Sequence, residues 1–312
     1  MERRVVTVFG GSGFIGRHLV RRLAADGCIV RVLVRNPERA AFLKMYGEPG
    51  QIVPMYGDVA DTASVAGAAT ESFEVINLVG ILYEKGRRTF QRIHVEGAAN
   101  VAKASADAGV DRLVHMSAIG ADPASPAEYG RTKAAGEREV RAAFPRATII
   151  RPSVVFGPED DFFNRFASLA RFSPALPVFK TRFQPVYVGD VADAFMAVLA
   201  DPETAGKVYE LGGPRVIGFR ELMQIMLREI GRKRALVPLP LSIAQLEAVF
   251  LEMLPVPPLT RDQVKLLGRD NIVDPGALSF KDLGIQPTGV EAVLPTYLSR
   301  FRPGNRPVRG MM

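Results

Sequence analysis

Short apolar runs alternate with longer amphipathic segments through the first half of the chain. Each run has the length of one buried strand, and the segments between the runs have apolar residues at helical spacing. The predicted strands are 4–9, 29–34, 52–56, 73–79, 111–117 and 147–151, and the predicted helices are 13–26, 37–46, 61–70, 89–108 and 127–143. This alternation is typical of a parallel sheet with helices on both faces. We therefore expect an α/β fold with a doubly wound parallel sheet.

Beyond residue 151 the alternation becomes irregular, because proline clusters interrupt the chain. Helices are predicted near 160–171, 190–200, 219–231 and 241–254, and short strands near 185–188 and 208–211. We expect residues 1–151 to form the first domain. Residues 152–302 are expected to form a smaller C-terminal lobe, interleaved with the last strands of the sheet. Residues 303–312 have no periodicity and predict a flexible tail.

The first predicted strand runs directly into a glycine-rich turn and a helix. Gly10, Gly13 and Gly16 lack the Cβ atoms that would obstruct a tight turn, an approaching pyrophosphate and close packing of the helix on the sheet. The helix that begins at Gly13 points free N–H groups and its positive dipole end at that phosphate. The turn therefore predicts a dinucleotide site in a Rossmann-type sheet. Its expected contacts are Gly10, Ser12, Gly13, Phe14, Ile15 and Gly16.

The residues after the second and third strands bear on the adenosine end of such a site. Arg35 follows the second strand, where an acid would bind the 2′-hydroxyl of NAD, so NADP(H) is favoured over NAD(H). A solvated arginine at a strand end is the alternative. Asp58 follows the third strand, and from the residues alone it could simply cap the helix that begins near Asp61. Further dinucleotide contacts are expected from Val59, Leu78, Val79, Gly80, Pro152 and Val154.

Tyr129 and Lys133 are four residues apart in a predicted helix and therefore share one face. A lysine there can lower the phenol pKa and bind the nicotinamide ribose, so that the tyrosine donates or accepts a proton beside a hydride transfer. Ser117, at the end of the fifth strand, is a third candidate catalytic residue, because a hydroxyl in this region can orient a carbonyl group.

The chain of 312 residues carries a formal net charge of +7 and one cysteine. The positive charge favours anionic ligands, anionic lipid surfaces or acidic partner proteins, and no segment resembles a nucleic-acid-binding module. Cys28 begins an apolar strand, so we expect a core residue; we also expect no metal site. The apolar region 236–259 is interrupted by prolines and is not expected to span a bilayer. The first strand begins close to Met1, so no signal or transit peptide is expected.

One predicted helix of the C-terminal lobe is apolar on most of its surface. It extends from Pro240 to Leu254, and basic clusters lie on either side of it at 228–234 and 261–269. Such a helix suits the surface of an anionic membrane or a hydrophobic groove in a partner protein. A core helix with solvated charges at its ends is the alternative.

The GxxGxxG spacing of the turn and the Tyr-xxx-Lys pair resemble the extended and atypical members of the short-chain dehydrogenase/reductase superfamily. The resemblance implies that Asp58, after the third strand, contacts the adenine amino group. Two positions depart from the superfamily pattern. Ala118 stands where a serine or threonine is usual, which leaves the role of the neighbouring Ser117 open. His94 stands where a structural asparagine is usual, and it is either a site residue or a satisfied interior histidine.

Further segments resemble one family within this superfamily, the NADPH-binding accessory subunit of respiratory complex I and its bacterial homologues. These segments are 115–118, 129–137, 151–160, 162–167, 184–191 and 260–264. The resemblance implies a tightly held NADPH, no established turnover, and docking near the membrane arm of the complex.

Our first expectation is therefore an NADPH-binding structural subunit of an NADH:quinone oxidoreductase. Its partners would be complex I subunits and the membrane surface. It would lie peripherally on the cytoplasmic face of a bacterial inner membrane, or on the matrix side in mitochondria. The alternative is a free cytoplasmic NADPH-dependent reductase, dehydrogenase or epimerase that acts on a small carbonyl or quinone-biosynthesis metabolite through Tyr129 and Lys133.

Overall fold

The computed structural model describes residues 4–304, which divide into two compact units. The first, the sheet unit, contains the described residues up to Pro152 together with Gly189–Leu211 and Asp274–Ile285. The second unit contains Ser153–Val188, Gly212–Val273 and the described residues from Gln286 onward. Of the predicted tail, residues 305–312 lie outside the described residues.

The elements are numbered here in chain order. The strands are β1 (Val5–Phe9), β2 (Ile29–Val34), β3 (Ile52–Tyr56), β4 (Glu74–Asn77), β5 (Arg112–Met116), β6 (Thr148–Pro152), β7 (Val155–Phe156), β8 (Ala175–Val178), β9 (Arg182–Phe183), β10 (Val186–Tyr187), β11 (Val208–Leu211), β12 (Ile217–Gly218) and β13 (Ala235–Pro238). The α-helices are α1 (Phe14–Ala25), α2 (Thr62–Ala69), α3 (Gly97–Asp107), α4 (Glu128–Ala143), α5 (Phe162–Phe172), α6 (Val188–Ala200), α7 (Phe219–Glu229), α8 (Leu241–Leu251), α9 (Arg261–Leu266) and α10 (Val290–Leu298). A π-helical turn spans Gln91–Glu96, and 3₁₀ segments span Glu38–Tyr46, Pro202–Thr204, Phe280–Leu283 and Ser299–Phe301.

The sheet unit is built on a parallel sheet, as the alternating pattern predicts. Among the described residues, seven strands form it in the order β11-β6-β5-β4-β1-β2-β3, and each adjacent pair is parallel. The strand order changes direction between β1 and β4. In sheets of this kind, the crevice at the carboxyl ends of such a strand pair is where ligands bind.

The sheet unit includes segments that lie beyond the predicted boundary at residue 151. The predicted domain boundary after residue 151 lies within β6, and the predicted strand 208–211 is β11. Because β11 pairs with β6 in parallel, Gly189–Leu211 belongs to the sheet unit. The segment that precedes it in the chain, Ser153–Val188, belongs to the second unit.

Two predicted helices differ from the regular form. The segment predicted at 37–46 is a 3₁₀ helix over Glu38–Tyr46, which buries Ala40 and Leu43. These residues are three apart, which suits three residues per turn. The helix predicted at 89–108 begins as the π-helical turn Gln91–Glu96 and continues as α3. The main chain of α4 approaches this turn so closely that a Cβ on Gly136 would lie 2.1 Å from the His94 carbonyl oxygen.

The second unit has an aromatic core. Phe219, on α7, has its ring centroid 5.3–5.9 Å from four other phenylalanine rings, those of Phe162, Phe166, Phe179 and Phe183. Asp160 joins two helices of the unit, because it accepts hydrogen bonds from the N–H groups of Phe163 and Asn164 on α5 and from the Tyr297 hydroxyl on α10.

Helix α8 joins that core only through its two small buried residues. Ala244 and Ala248 are its buried residues, whereas the large side chains Leu246 and Phe250 are 64% and 66% exposed. The core-helix alternative therefore holds only for the side of α8 that carries Ala244 and Ala248, because the large apolar side chains of the helix are exposed. Among residues 4–304, no helix has both the length and the apolar character needed to cross a membrane.

A nearly buried ion network joins α4 to the sheet. The Arg151 guanidinium on β6 donates to both carboxylate oxygens of Glu137 on α4, at 2.8 and 2.7 Å, and to Glu210 on β11, at 3.3 Å. The Glu137 and Glu210 side chains are 7% and 11% exposed, so water cannot replace the cation effectively.

Replacing Arg151 with Met is expected to lower the free energy of unfolding by about 3–5 kcal/mol, because two buried carboxylates lose their cation. The matched control is Arg138→Met on α4, whose side chain is 74% exposed beside Glu139; its effect should stay below about 1 kcal/mol. Urea unfolding of the two variants measures the difference. Equal midpoints would show that the network contributes no net stability.

Candidate functional site

The glycine turn connects the carboxyl end of β1 to the amino end of α1. Gly10 has φ +80°, a conformation that glycine adopts without strain, and its N–H donates to the Leu33 carbonyl at 3.3 Å. A Cβ on Gly16 would lie 2.5 Å from the Gly10 carbonyl oxygen and from the Gly11 Cα, so only glycine fits there. Gly13 is exposed and immediately precedes α1. The turn thus presents a helix N-terminus at the sheet crevice, an arrangement suited to a pyrophosphate.

The segment that follows β4 lies against this turn. A Cβ on Gly10 would be 3.2 Å from Val79 Cγ2 and 3.4 Å from the Leu78 carbonyl carbon. A Cβ on Gly80 would be 3.7 Å from Lys133 Nζ. The structure therefore brings the predicted residues of the glycine turn, the segment 78–80 and Lys133 together at the carboxyl ends of β1 and β4.

The predicted adenosine-end residues follow β2 and β3. Arg35 is exposed, and the chain turns after it because Asn36 Oδ1 accepts from the Arg39 N–H at 3.0 Å. Asp58 Oδ1 accepts from the Ala60 N–H at 3.0 Å. The capping alternative for Asp58 is wrong, because the side chain that caps α2 is Asp61, which accepts from the Ala63 N–H.

The remaining predicted contacts, Val59, Pro152 and Val154, have structural neighbours as well. Val59 is buried, and a Cβ on Gly97 would come within 2.8 Å of its Cγ2. The Pro152 carbonyl, at the end of β6, accepts from the Ile119 N–H at 3.0 Å. Val154 belongs to the second unit, where its N–H donates to Asn271 Oδ1 at 3.1 Å.

Lys133 is a buried cation. Its ammonium group donates to the Met116 carbonyl at 2.9 Å, at the carboxyl end of β5, and its residue is 3% exposed. Burial lowers the pKa of Lys133 to about 8, and the Glu137 carboxylate opposes that shift. The ammonium form therefore predominates at neutral pH, where it could bind the hydroxyl groups of a ribose.

Tyr129 lies one turn before Lys133 on α4, in an aromatic environment. Its ring meets the His94 ring edge-on at 5.3 Å and the Phe90 ring at 6.0 Å. Burial raises the pKa of Tyr129 to about 12. The expected lowering of this pKa by Lys133 is therefore wrong for this structure, because desolvation of the phenolate dominates. A protonated phenol can donate a proton but is a poor base at neutral pH.

His94 is a satisfied interior histidine. Its Nε2 accepts from the Ile81 N–H at 3.1 Å, so the ring proton lies on Nδ1 and is donated to Thr132 Oγ1, also at 3.1 Å. Burial and then Lys133 lower the pKa of His94 to about 2, so the ring stays neutral. Through these two hydrogen bonds it holds the segment after β4 against α4.

Sequence reasoning missed a second histidine beside Lys133. His115 is buried on β5, and its Nδ1 is 3.2 Å from Asn77 Nδ2. Burial and then Lys133 lower the pKa of His115 to about 3. The signal available in the sequence was its place one residue before Met116, at the carboxyl end of a central strand.

The Ser117 hydroxyl lies one residue beyond the carboxyl end of β5. The residue is 2% exposed, and among the described residues its Oγ has no hydrogen-bond partner. A buried hydroxyl left unpaired costs about 1–3 kcal/mol. An ordered water or a bound ligand that donates or accepts a hydrogen bond would offset this cost. Residues 4–304 contain no group of three or more His, Cys, Asp or Glu side chains arranged to hold a metal ion.

A parallel sheet with a glycine turn at its crevice and a Tyr-xxx-Lys pair on α4 defines the class. The chain belongs to the NAD dependent epimerase/dehydratase family, whose model matches residues 6–212. Its fold is shared with DesIV, the dTDP-glucose 4,6-dehydratase of Streptomyces venezuelae, solved with NAD bound. The TM-score is 0.73 at 22% identity, over 95% of this chain and 96% of that one.

Within the family, respiratory subunits are similar to this chain over nearly its whole length. The NADH-ubiquinone oxidoreductase 40 kDa subunit of Neurospora crassa is 36% identical over 95% of this chain and 79% of that protein. The NADH dehydrogenase [ubiquinone] 1 alpha subcomplex subunit 9 of Arabidopsis thaliana is 37% identical over 96% and 78%. These similarities confirm the resemblance to this subunit family. A ceramide reductase of Caulobacter vibrioides is 33% identical over 76% of this chain and 74% of that protein.

Replacing Lys133 with Met is expected to stabilise the nucleotide-free protein at pH 7 by about 1–3 kcal/mol, because the folded state no longer buries an ammonium group. The pKa is 10.5 in the unfolded chain and about 8 in the folded one, so the charge is costly below pH 8. The cost is relieved as the pH rises from 8 to 10.5. The stability gain of the variant should therefore shrink over that range.

Urea unfolding at pH 7 and pH 10, without nucleotide, measures this effect. The exposed Lys103 on α3 offers a matched control, because Lys103→Met removes a solvated charge and should change stability little. A Lys133→Met protein less stable than wild type at pH 7 would mean that the hydrogen bond to Met116 outweighs the burial cost.

Proposed function

We propose that this chain is a subunit of a respiratory NADH:quinone oxidoreductase in which NADP(H) is held as a structural nucleotide. The similarity to two such subunits over nearly the whole chain carries the proposal. The protein would lie peripherally on the cytoplasmic face of a bacterial inner membrane, or on the matrix side of the mitochondrial one. Its partners would be other subunits of the complex and the membrane surface, with no role for nucleic acid or metal.

The site geometry suits a retained nucleotide. A dinucleotide in the crevice would meet the glycine turn, the segment 78–80 and Lys133, and so would join β1, β4 and α4. Binding to the native state alone raises stability by RT ln(1 + [L]/Kd), about 2.7 kcal/mol at a hundredfold excess over Kd. Rapid turnover has weaker support, because Ala118 lacks a hydroxyl and the pKa of Tyr129 is high.

NADP(H) is proposed rather than NAD(H) on the chemistry after β2. Arg35 offers an exposed guanidinium where an acid would otherwise bind the 2′-hydroxyl of NAD, and Arg39 follows one turn later. Guanidinium groups form paired hydrogen bonds with phosphate oxygens, so a 2′-phosphate suits this position.

The second unit carries a surface suited to docking, here called the α8 surface. It consists of Leu241, Ile243, Leu246, Val249, Phe250, Met253, Leu254 and Val256, which are 39–82% exposed. The small buried residues Ala244 and Ala248 attach α8 to its unit, so the large side chains face outward. Exposed apolar patches of this kind are characteristic of protein or membrane interfaces. Lys265 and Arg269 lie nearby in sequence and would favour anionic headgroups.

Replacing Arg35 with Ser is expected to weaken NADPH binding by about 10- to 100-fold while NADH binding changes little, because the charged hydrogen bonds to the 2′-phosphate are lost. Fluorescence titration with both nucleotides measures the ratio. Arg21→Ser, at an exposed position on α1, is the control for a lost surface charge. Wild-type protein that binds NADH as tightly as NADPH would refute the preference.

The paired variant Phe250→Glu with Met253→Glu is expected to abolish co-sedimentation with the respiratory complex, because it places two charges in an apolar contact. The isolated protein should stay folded, since these side chains are 66% and 82% exposed.

Tyr129→Phe should leave assembly and quinone-linked NADH oxidation close to wild type, because it removes one hydroxyl and little packing.

The matched control for the α8 surface is Met45→Glu with Phe73→Glu, which places two charges on exposed apolar residues of the sheet unit. Circular dichroism verifies that both double variants are folded. Normal co-sedimentation of the Phe250/Met253 variant would overturn the docking surface. A metabolite that accumulates in both the Tyr129→Phe strain and a deletion strain would establish the free reductase instead.

A further inference from the structure

The segment between β4 and the π-helical turn forms a small, well-defined hairpin, here called the basic hairpin and spanning residues 83–90. Lys85 and Arg88 exchange backbone hydrogen bonds of 3.0 and 3.1 Å as an antiparallel pair. Gly86, at the first central position, has φ +56°, as tight hairpin turns require. The loop is therefore ordered by its own backbone bonds.

The base of the basic hairpin is attached to the candidate site. Glu84 Oε1 accepts from the Phe90 N–H at 2.6 Å and closes the hairpin, while the Ile81 N–H donates to His94 Nε2 just before it. The Phe90 ring stacks on the His94 ring at 5.2 Å and meets the Tyr129 ring at 6.0 Å. Arg88 is two residues from Phe90, a span of at most about 7 Å between their Cα atoms.

The tip concentrates positive charge. Lys85, Arg87 and Arg88 fall within four residues, and Arg92 follows one helical turn after them, whereas Glu84 is the only acid from 81 to 92. Arg87 and Arg92 are exposed. Residues paired directly across two antiparallel strands project their side chains on the same face, about 5 Å apart, and like charges in that position repel. Lys85 and Arg88 are such a pair, so both cationic side chains start on the same face of the basic hairpin.

We propose that the basic hairpin binds the phosphate group of a phosphorylated ligand at the Tyr129 end of the site. Phosphate fits better than a single carboxylate, because its charge approaches −2 and its three oxygens suit several cationic donors. The group would come from a soluble phosphate ester or from a phospholipid headgroup. The inference rests on the proposed function only in placing the ligand beside a dinucleotide, since the 2′-phosphate of NADP(H) is assigned to Arg35 after β2.

The test uses the full chain saturated with NADPH, so that phosphate sites of the dinucleotide are filled. Inorganic phosphate is titrated against chloride at constant ionic strength, and the melting temperature is recorded. We expect a phosphate-dependent rise in wild type. The triple variant Lys85→Ser, Arg87→Ser, Arg88→Ser should need at least about tenfold more phosphate for the same rise.

The matched control removes three exposed cations elsewhere in the sheet unit, as Lys103→Ser, Arg138→Ser and Arg141→Ser. It should respond to phosphate like wild type. The hairpin bonds described above are made by the backbone and by Glu84 and His94, so the triple variant should fold, and circular dichroism with Arg88→Ser alone guards against misfolding. No response in wild type, or equal responses in the triple variant and the control, would overturn the proposal.

Co-sedimentation with vesicles distinguishes the two sources. Vesicles of phosphatidylcholine with about 30% phosphatidic acid carry a phosphate monoester as the anionic headgroup. If the triple variant loses both the phosphate response and vesicle binding that the control keeps, the source is a phospholipid. Loss of the phosphate response alone indicates a soluble ester. Repeating the titration without nucleotide on Arg35→Ser keeps the proposal testable if wild type fails to bind NADPH, a result that would count against the proposed function only.

Discussion

The buried ammonium of Lys133 is the constraint on which the site depends. A charge that is 3% exposed needs polar or oppositely charged groups to stabilise it. The Met116 carbonyl accepts a hydrogen bond from the ammonium group at 2.9 Å, and the Glu137 carboxylate favours the charged form. His94 and His115 stay neutral beside it because burial and the ammonium itself lower both pKa values. A cation kept where it destabilises the empty fold is characteristic of residues that bind a ligand.

Much of the sheet unit follows from local sequence patterns. Each strand around the crevice, the glycine turn, and the shared face of Tyr129 and Lys133 is encoded by residues only a few positions apart. Strand and helix periodicity therefore predict each of them. The pKa of Tyr129 could not be predicted in this way. It depends on Phe90 and His94, which are distant in sequence and surround the phenol only once the chain is folded.

The same limit applies to the larger organisation. The sequence predicts a boundary at residue 151 and a lobe interleaved with the last strands of the sheet, but the exact segments that join the sheet depend on the long-range pairing of β11 with β6. For α8, composition left a core helix and an interfacial helix equally open, since nearly every position is apolar. The small residues Ala244 and Ala248 decide the outcome by forming the buried side of the helix.

Gly136 and Gly130 have a consequence for how α4 can move. A Cβ on Gly136 would lie 2.1 Å from the His94 carbonyl oxygen, and one on Gly130 would lie 2.5 Å from Ser125 Oγ and 2.8 Å from the Gly120 carbonyl oxygen. Rotating α4 by one residue would bring a side chain into one of these close contacts, where there is no room for it. Each glycine therefore restricts the rotation of α4 about its axis. The angular setting of Tyr129 and Lys133 is therefore fixed by two positions that have no side chain, on either side of the lysine.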